Sequence, residues 1–484
     1  MLLHNMNKTF IRALLLGSVV ASLSGCSYVE INKLEDPNFP ALPSVLTNAT
    51  KQQLDYLATG TFSDMRTNAD GIVWYHQITG AIGREVYVLA GSDSRYATNL
   101  LGIGTAGFDN NNFLSGRYFI TYSSARRTAR ILAQSTANTS LVTDQQKKGY
   151  SALAKTAEAY AMMVLSDLQY ENGLRVDVAD PEKPGKIRSY DEVLTAIKAL
   201  LDSGRDDLAG AGTALPFPLP SGYVPSDVNS LNFSTPAGFL KFNRALAARL
   251  AVRRASRPNG SYQEVLDALS GSFVKDAGLL TDGPRFTYGG TSPDVVNPLF
   301  QKPNFTGSVV TVAHPSFRRD IRATDTRINK IAARTAALPP RQGFSSSDDV
   351  VLYATNTSPI PIIKKEELVL LSAEAHAMPG PQQNLALAVT EVNSVATTYA
   401  ALRPTPLTAT SPSADILDEI LYQRRYSLFF EGQRWVDLRR LNQLNRLNVP
   451  GTSLPEVSST NLQTTIVRQL PIPFAEVSWD IANP

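Results

Sequence analysis

The sequence predicts an all-α protein built from pairs of antiparallel helices, with long irregular loops inserted between the pairs. Apolar residues recur at helical spacing over most of the chain. Two of the helices open with the same Ser-x-x-Glu signal, and stretches rich in Pro, Gly, Ser and Asn separate the helix pairs. With 484 residues, 43% of them hydrophobic, the chain is long enough to bury a substantial core.

The first element is a segment typical of protein export. Lys8 and Arg12 precede the apolar run ALLLGSVVASL, which is too short to span a bilayer and is followed by small residues. The run ends at LSGC, which resembles the lipobox of bacterial lipoproteins, where the cysteine is lipidated and becomes the first mature residue. We therefore predict that residues 1–25 are a lipoprotein signal peptide and that Cys26 is a lipid anchor. A buried thiol is the alternative, but a cysteine beside a cleavage-type sequence has no fold around it.

The charge of the chain argues against a nucleic-acid partner. Lys and Arg number 46 and Asp and Glu 43, and removal of the signal takes away Lys8 and Arg12 but no acidic residue. The mature surface is then nearly neutral, whereas a sequence-independent nucleic-acid binder needs a basic domain. Because the chain has a single cysteine, its stability must come from a core and not from disulfides.

Residues 26–45 are predicted to be an extended tether, because Pro37, Pro40 and Pro43 disfavour helix. Beyond the tether we expect two regions, an N-terminal one at residues 46–235 and a C-terminal one at residues 236–484.

Four helix pairs follow from the apolar spacing. The first pair joins residues 150–168 to a helix that opens with the capping box Ser189 to Glu192, and the second joins residues 238–255 to a helix that opens at Ser261. The third pair is residues 364–378 and 385–399 across a Pro-Gly-Pro turn, and the fourth lies within residues 415–441. Small residues at the crossings make this look like tetratricopeptide-type packing.

Motifs for catalysis or cofactors are weak. GIGTAG at residues 102–107 matches the dinucleotide pattern but lacks the strand and helix that should flank it. The histidines that remain after maturation have no metal-ligand spacing, FDNNNF at residues 108–113 lacks the acidic density of a calcium loop, and no nucleophile elbow is present. We therefore predict neither a catalytic residue nor a cofactor nor a metal.

Aromatic residues outside the periodic helices are the better candidates for ligand contact. Flat rings with a polar edge give contact area at a small entropic cost, and nearby polar side chains orient the ligand. The alternative, that the rings belong to the core, applies to any globular protein. The ligand-binding candidates are Trp74, Tyr75, Arg95, Tyr96, Asn99, Tyr118 and Tyr288.

The C-terminal third resembles a known family. The blocks PIPIIKKEELVLLSAEAHAM, ALAVTEVNSV, ILYQRRYSLFFEGQRWVDLRR and LPIPFAEVSWDIANP resemble, in this order, those of the SusD/RagB family. The resemblance implies an all-helical SusD-like fold with four tetratricopeptide-like helix pairs. It also implies a surface-exposed lipoprotein of the bacterial outer membrane that is not an enzyme. Where the family usually has Glu-Arg-Arg, this sequence has Gln423, Arg424 and Arg425. The resemblance does not identify any ligand-binding residue in this chain.

By this resemblance the chain binds oligosaccharide nutrients and delivers them to a SusC-like TonB-dependent transporter. One alternative is the capture of peptides, as in RagB-like members. Another, of a different class, is a lipid-anchored glycan hydrolase, which is motivated only by location and abundant carboxylates.

The stretch from Tyr422 to Arg440 mixes arginines with aromatic residues, as a nucleic-acid-binding stripe does, but its spacing predicts a helix hairpin. Gly432 can end the first helix, Arg424 and Glu431 lie on a similar face, and Asp437 sits between two arginines. We interpret the cluster as structural ion pairing, with a transporter-facing role as the alternative. The residues of this structural family motif are Arg424, Arg425, Glu431, Gly432, Arg434, Trp435, Asp437 and Leu438.

Overall fold

The structure is a computed structural model that describes residues 42–66, 69–102, 108–180, 182–226, 230–292, 294–399, 405–448 and 466–483. The predicted signal peptide, Cys26 and most of the tether lie outside the described residues, as do residues 103–107 of the glycine motif. The prediction of a lipid anchor at Cys26 therefore stays a prediction.

Helices dominate the described chain, as the sequence predicts. The N-terminal region contains α1 Leu42–Asn48, α2 Lys51–Arg66, α3 Ala69–Ile82, α4 Arg95–Thr98, α5 Phe113–Asn138, α6 Asp144–Gln169 and α7 Tyr190–Ala209. The C-terminal region contains α8 Pro236–Ala255, α9 Tyr262–Ser270, α10 Ser316–Asp320, α11 Lys365–Ala377, α12 Leu385–Thr398, α13 Ser413–Ser427, α14 Gln433–Arg440 and α15 Phe474–Ala482.

Consecutive long helices pack against each other along the chain. Helix α5 packs on α6, α6 on α7, α7 on α8 and α8 on α9. The series continues from α9 to α11, which packs on both α12 and α13. Each helix thus buries its apolar face against its neighbours, which is the packing principle of helical repeats and agrees with the predicted helix pairs.

The predicted start signals lie at helix N-termini. Ser189 and Glu192 form the reciprocal capping box of α7. Ser261 caps α9 by accepting a hydrogen bond from the backbone N–H of Glu264. A further capping box, which the sequence analysis did not identify, joins Thr143 and Gln146 at the start of α6.

A small antiparallel sheet accompanies the helices. Strands β1 Val86–Ala90, β5 Val309–Ala313, β7 Asp348–Val350 and β6 Ile331–Ala333 lie side by side in that order. Two short pairs join β2 Leu174–Arg175 to β3 Ile187–Arg188 and β4 Arg285–Phe286 to β8 Ile360–Pro361. The sequence predicts an all-α protein, so this sheet is an addition to the predicted architecture.

Ion pairs cross the interior between helices that are far apart in sequence. Arg253 of α8 contacts Asp167 of α6 at 2.6 Å, and their side chains are each only 2% exposed. Arg249, one turn earlier, contacts Glu367 of α11 at 2.6 Å, and Glu367 is completely buried. Because an unpaired buried charge costs several kcal/mol, these pairs fix the relative positions of α6, α8 and α11.

One large apolar core extends over both predicted regions, and a smaller one joins α11, α12 and α13. The division between residues 235 and 236 stays a prediction, since the large core includes residues from both sides of it. None of the helices formed by the described residues is both long enough and apolar enough to cross a membrane.

Candidate functional site

Three aromatic rings meet where α3, α4 and the start of α5 come together. The rings of Trp74 and Tyr96 are stacked, with centroids 6.2 Å apart and planes 20° apart. Phe113 packs against both rings, with centroids 5.2 Å from Trp74 and 5.7 Å from Tyr96. Two of the predicted ligand-binding residues therefore share one cluster, which we call the ring cluster (Trp74, Tyr96 and Phe113).

The start of α5 holds the ring cluster in place. Asn112 is the N-cap of α5, and its side-chain oxygen accepts a hydrogen bond from the backbone N–H of Leu114 at 3.0 Å. The amide nitrogen of the same side chain donates to Asn99 Oδ1 at 3.0 Å. Since Asn99 follows α4 directly, this bond joins α4 to α5 and sets the positions of Tyr96 and Phe113. The predicted candidate Asn99 thus has a structural role in the site.

Two arginines lie over the ring cluster on its solvent side. The Arg95 guanidinium is 4.5 Å from the centroid of the Phe113 ring, and the Arg117 guanidinium is 5.6 Å from that of Trp74. Both arginines are exposed. Arg95 also donates to both carboxylate oxygens of Asp93, at 2.9 and 2.7 Å, and this hydrogen bonding lowers the pKa of Asp93. The surface of the site is therefore formed by cations that cover aromatic faces.

The rings themselves are nearly buried. Trp74 is 8% exposed and Tyr96 7% exposed, and within the described chain the indole Nε1 of Trp74 has no hydrogen-bond partner. Burial and the charge of Asp93 raise the pKa of Tyr96, while Arg117 and Arg95 act in the opposite direction. A flat ligand can stack on these aromatic faces only after the arginine side chains have moved away from them. Without that motion, the site offers guanidinium donors and aromatic edges.

The other predicted aromatic candidates lie in the core. Tyr118 is completely buried, and Tyr75 is 5% exposed with its hydroxyl 3.4 Å from Asp167 Oδ2. Tyr288 is 8% exposed, and the Arg66 guanidinium lies 5.5 Å from its ring centroid. Tyr118 therefore has no exposed surface for a ligand in this conformation, whereas Tyr75 and Tyr288 are about as buried as Trp74 and Tyr96, and ligand contact by Tyr75 and Tyr288 stays a prediction. The remaining candidates Trp74, Arg95, Tyr96 and Asn99 stay predictions.

The three described histidines each contact a neighbouring group. His76 is buried with Nδ1 2.8 Å from the Ile72 carbonyl oxygen, and burial lowers its pKa to about 4. His314 lies 2.8 Å from the Ser316 hydroxyl, and His376 Nδ1 lies 2.9 Å from Glu391 Oε2. Within the described residues, no three His, Cys, Asp or Glu side chains are grouped so that they could hold a metal ion.

The family motif in α13 and α14 is a buried network of ion pairs. Arg424 Nε contacts Asp437 Oδ2 at 2.7 Å, and Arg440 Nη2 contacts Asp437 Oδ1 at 2.9 Å while also pairing with the buried Glu374. The sequence analysis had placed Glu431 on the face of Arg424, but Glu431 pairs with Lys364 at 2.6 Å instead. The chain reverses between these residues, so the seven-residue spacing does not keep them on one face.

Trp435, Leu438 and Gly432 complete this motif. Trp435 is completely buried, and its indole N–H donates to the Val467 carbonyl at 2.9 Å, while Leu438 is 5% exposed. Gly432 has a φ of +78°, and a Cβ at this position would lie 2.5 Å from Tyr75 Cε1. Only glycine fits both the backbone conformation and the space at this position.

One groove was missed by the sequence analysis. A cavity of about 700 Å³ lies between α5, residues 174–184 and α15. Its walls include the half-buried Phe119 and Trp479 and the exposed Arg127. In the sequence, Trp479 belongs to the block LPIPFAEVSWDIANP that resembles the family. The spacing of residues in that block does not indicate that α15 lies across α5.

Two comparisons concern the amino-acid sequence. Residues 304–478 match the sequence model of the SusD family. A comparison with curated protein sequences gave no match.

Solved structures share the fold. A SusD superfamily protein from Bacteroides thetaiotaomicron is similar with a TM-score of 0.65 and 16% identity, over 89% of this chain and 98% of that one. Surface glycan-binding protein A from Bacteroides uniformis has a TM-score of 0.65 and 15% identity, over 90% and 99% of the two chains. A laminarin-binding SusD-like protein has a TM-score of 0.60 and 14% identity, over 88% and 97%.

Proposed function

Because this chain is a member of the SusD family, with the family sequence in residues 304–478 and the family fold around it, we propose that it binds glycans at the surface of a bacterial cell. The observation that carries this proposal is the family match together with the similarity to two proteins described as glycan-binding or laminarin-binding. None of the comparisons indicates a catalytic family, and the proposal includes no catalytic step.

The ring cluster and its arginines are the proposed contact surface for the glycan. Guanidinium groups donate several hydrogen bonds in a fixed plane, which suits the hydroxyl pairs of a sugar, and the rings beneath supply apolar faces. Arg95 and Arg117 are exposed, so they can move off the rings and donate to the ligand. In the proposed complex, the bound sugar replaces part of the cation–π contact between these two arginines and the rings.

Delivery to a TonB-dependent outer-membrane transporter is the second part of the proposal. Its support is the resemblance of the C-terminal blocks and the lipobox-like sequence that ends at Cys26. A lipid-anchored binder next to a transporter raises the local glycan concentration, so Kd values of roughly micromolar to millimolar are sufficient.

A pair of arginine variants tests the site. Arg117 and Arg127 are both exposed on α5, but only Arg117 lies over Trp74. We expect Arg117→Ala to weaken glycan binding about tenfold, as loss of one or two hydrogen bonds would, while Arg127→Ala changes it less than twofold. Isothermal titration calorimetry measures the Kd of both variants. The titrated ligands are purified glycans chosen from an initial binding screen.

Substitution of the rings is a poorer test. Trp74 is only 8% exposed. Removal of a buried aromatic side chain costs about 3–5 kcal/mol, so loss of binding would be confounded with loss of the fold.

Two results would contradict the proposal. If no glycan in the panel binds and peptides from a protein hydrolysate bind and compete with one another, the protein captures peptides. If the purified protein releases products from a bound glycan, it is an enzyme.

A further inference from the structure

A pocket of about 440 Å³ between α13 and α14 has an excess of positive charge in its walls. Four arginines and two aspartates line it, together with apolar residues of both helices. The charged residues are Asp418, Arg424, Arg425, Arg434, Asp437 and Arg446. We call it the arginine pocket.

Both aspartates of the pocket already have partners. Asp437 accepts hydrogen bonds from Arg424 and from Arg440, and Arg440 lies outside the lining. Asp418 pairs with Arg446. These carboxylates therefore have no capacity to balance the two arginines that remain.

Arg425 and Arg434 are the two arginines of the pocket whose positive charges are least balanced by carboxylates. Arg425 shares Asp320 with Arg319, at 3.0 Å and 2.6 Å respectively. Arg434 has no ion pair within the described residues. Its Nε donates to the Gly83 carbonyl at 2.9 Å, directly after the end of α3. Among the described residues, none forms a hydrogen bond or ion pair with the terminal nitrogens of Arg434, which leaves them available to a ligand.

Glu85 is an acidic group whose charge acts on Arg434, although the described residues show no ion pair between the two side chains. Burial raises the pKa of Glu85, and the positive charge of Arg434 lowers it. Burial, and next the positive charge of Arg425, lower the pKa of Arg434. Buried beside them, Arg424 Nη1 has no hydrogen-bond partner in the described part of the chain. The lining therefore holds more arginines than carboxylates, and one of its buried guanidinium nitrogens has no partner among the described residues.

We propose that the arginine pocket binds the carboxylate of an acidic sugar, such as a uronic acid. A planar guanidinium fork matches a carboxylate in a bidentate arrangement. The volume is within the range of small-molecule pockets, whereas a bare inorganic ion would fill only a small part of it. Leu421 and Leu438 also line the pocket and supply apolar surface for the sugar ring. The proposal is independent of the ring cluster, which lies on other residues and other helices.

Titration calorimetry of the full chain with galacturonate and glucuronate tests this site. Galactose and glucose are the neutral controls, and sodium sulfate is the inorganic anion. We expect saturable binding of a uronate, with a Kd at least tenfold lower than that of sulfate and no measurable binding of the neutral sugars. No uronate binding, or equal binding of uronate and neutral sugar, would overturn the proposal. Equal binding of sulfate would identify an adventitious anion site only and would overturn it too.

Variants locate the binding in the pocket. Arg434→Gln keeps a donor for the Gly83 carbonyl but removes the charge, and we expect it to raise the Kd for uronate at least tenfold. The control Arg127→Gln makes the same charge change at an exposed arginine elsewhere and should leave the Kd within twofold. If Arg434→Gln binds uronate as well as the parent chain does, the site is not this pocket.

A second pair of variants tests the same pocket without removing any hydrogen bond or ion pair of the folded protein. Leu421 is half-buried in the pocket wall, and Leu421→Glu places a tethered carboxylate there. We expect Leu421→Glu to lose uronate binding, while Leu421→Gln, with the same shape and no charge, keeps the Kd within threefold. If both variants bind equally, the carboxylate of the ligand does not occupy this pocket.

Discussion

Replacement of Gly432 by alanine tests the geometry of the family motif most directly. The backbone φ of +78° is in the left-handed region, which costs an L-residue about 1–2 kcal/mol. The added Cβ would also lie 2.5, 2.7 and 2.8 Å from Cε1, Cζ and the hydroxyl oxygen of Tyr75, and overpacking of a rigid core costs about 1–3 kcal/mol. We therefore expect Gly432→Ala to lower the free energy of unfolding by about 2–5 kcal/mol.

Urea unfolding followed by circular dichroism measures this loss, provided that the m-value is unchanged. Gly116→Ala is the matched control, because Gly116 lies in α5 with nothing within 4 Å of an added Cβ. That control should leave stability unchanged or raise it by up to about 1 kcal/mol. A double-mutant cycle with Tyr75→Ala separates the steric cost, which the second substitution removes, from the backbone cost, which it leaves. A loss below about 0.5 kcal/mol for Gly432→Ala would refute the reasoning.

Three further predictions follow from the sequence and the interior. Cys26→Ala is expected to abolish incorporation of labelled fatty acid in cells, and continued labelling would show that the anchor is elsewhere. Arg253→Met leaves Asp167 as an uncompensated buried charge, so unfolding experiments should show a loss of about 3–5 kcal/mol; a loss below 1 kcal/mol would mean that the pair contributes little. Glu85 has its pKa raised from 4.5 to about 8, so the folded chain holds a proton that the unfolded chain releases, and stability falls as pH rises through that window. Glu85→Gln should flatten this dependence between pH 5 and 8, and an unchanged slope would contradict it.

The helices were predictable because their signals are local. The capping box at Ser189 and Glu192 lies within four residues of the chain, and the apolar spacing of α6 repeats over many turns. The sheet was not predictable in the same way. Strand β1 is five residues long and pairs with β5, more than two hundred residues later in the chain. Such a pairing has no local signature, because each short apolar run is equally consistent with a buried helix segment.

The structure shows where the candidate site residues lie, and their contact with a ligand stays a prediction. Trp74 and Tyr96 do lie in one cluster, and Arg95 lies at its surface. Tyr118 was misjudged although a signal existed: Leu114, Tyr118 and Tyr122 follow each other at four-residue spacing and form the buried face of α5. Arg117 was missed because a single arginine on a helix surface carries no sign of the ring that it covers. Residue type indicates what a side chain can bind, and only the packing decides whether it faces solvent.

The ion pairs of α8 have a consequence for how the chain acquires its fold. Arg253 needs a carboxylate that precedes it by 86 residues, while Arg249 needs one that follows it by 118 residues. A polypeptide that stops before Glu367 lacks the counter-ion of Arg249, and burial of Arg249 without it would cost about 3–5 kcal/mol. We therefore expect α8 to reach its final packing only after α11 has been synthesised.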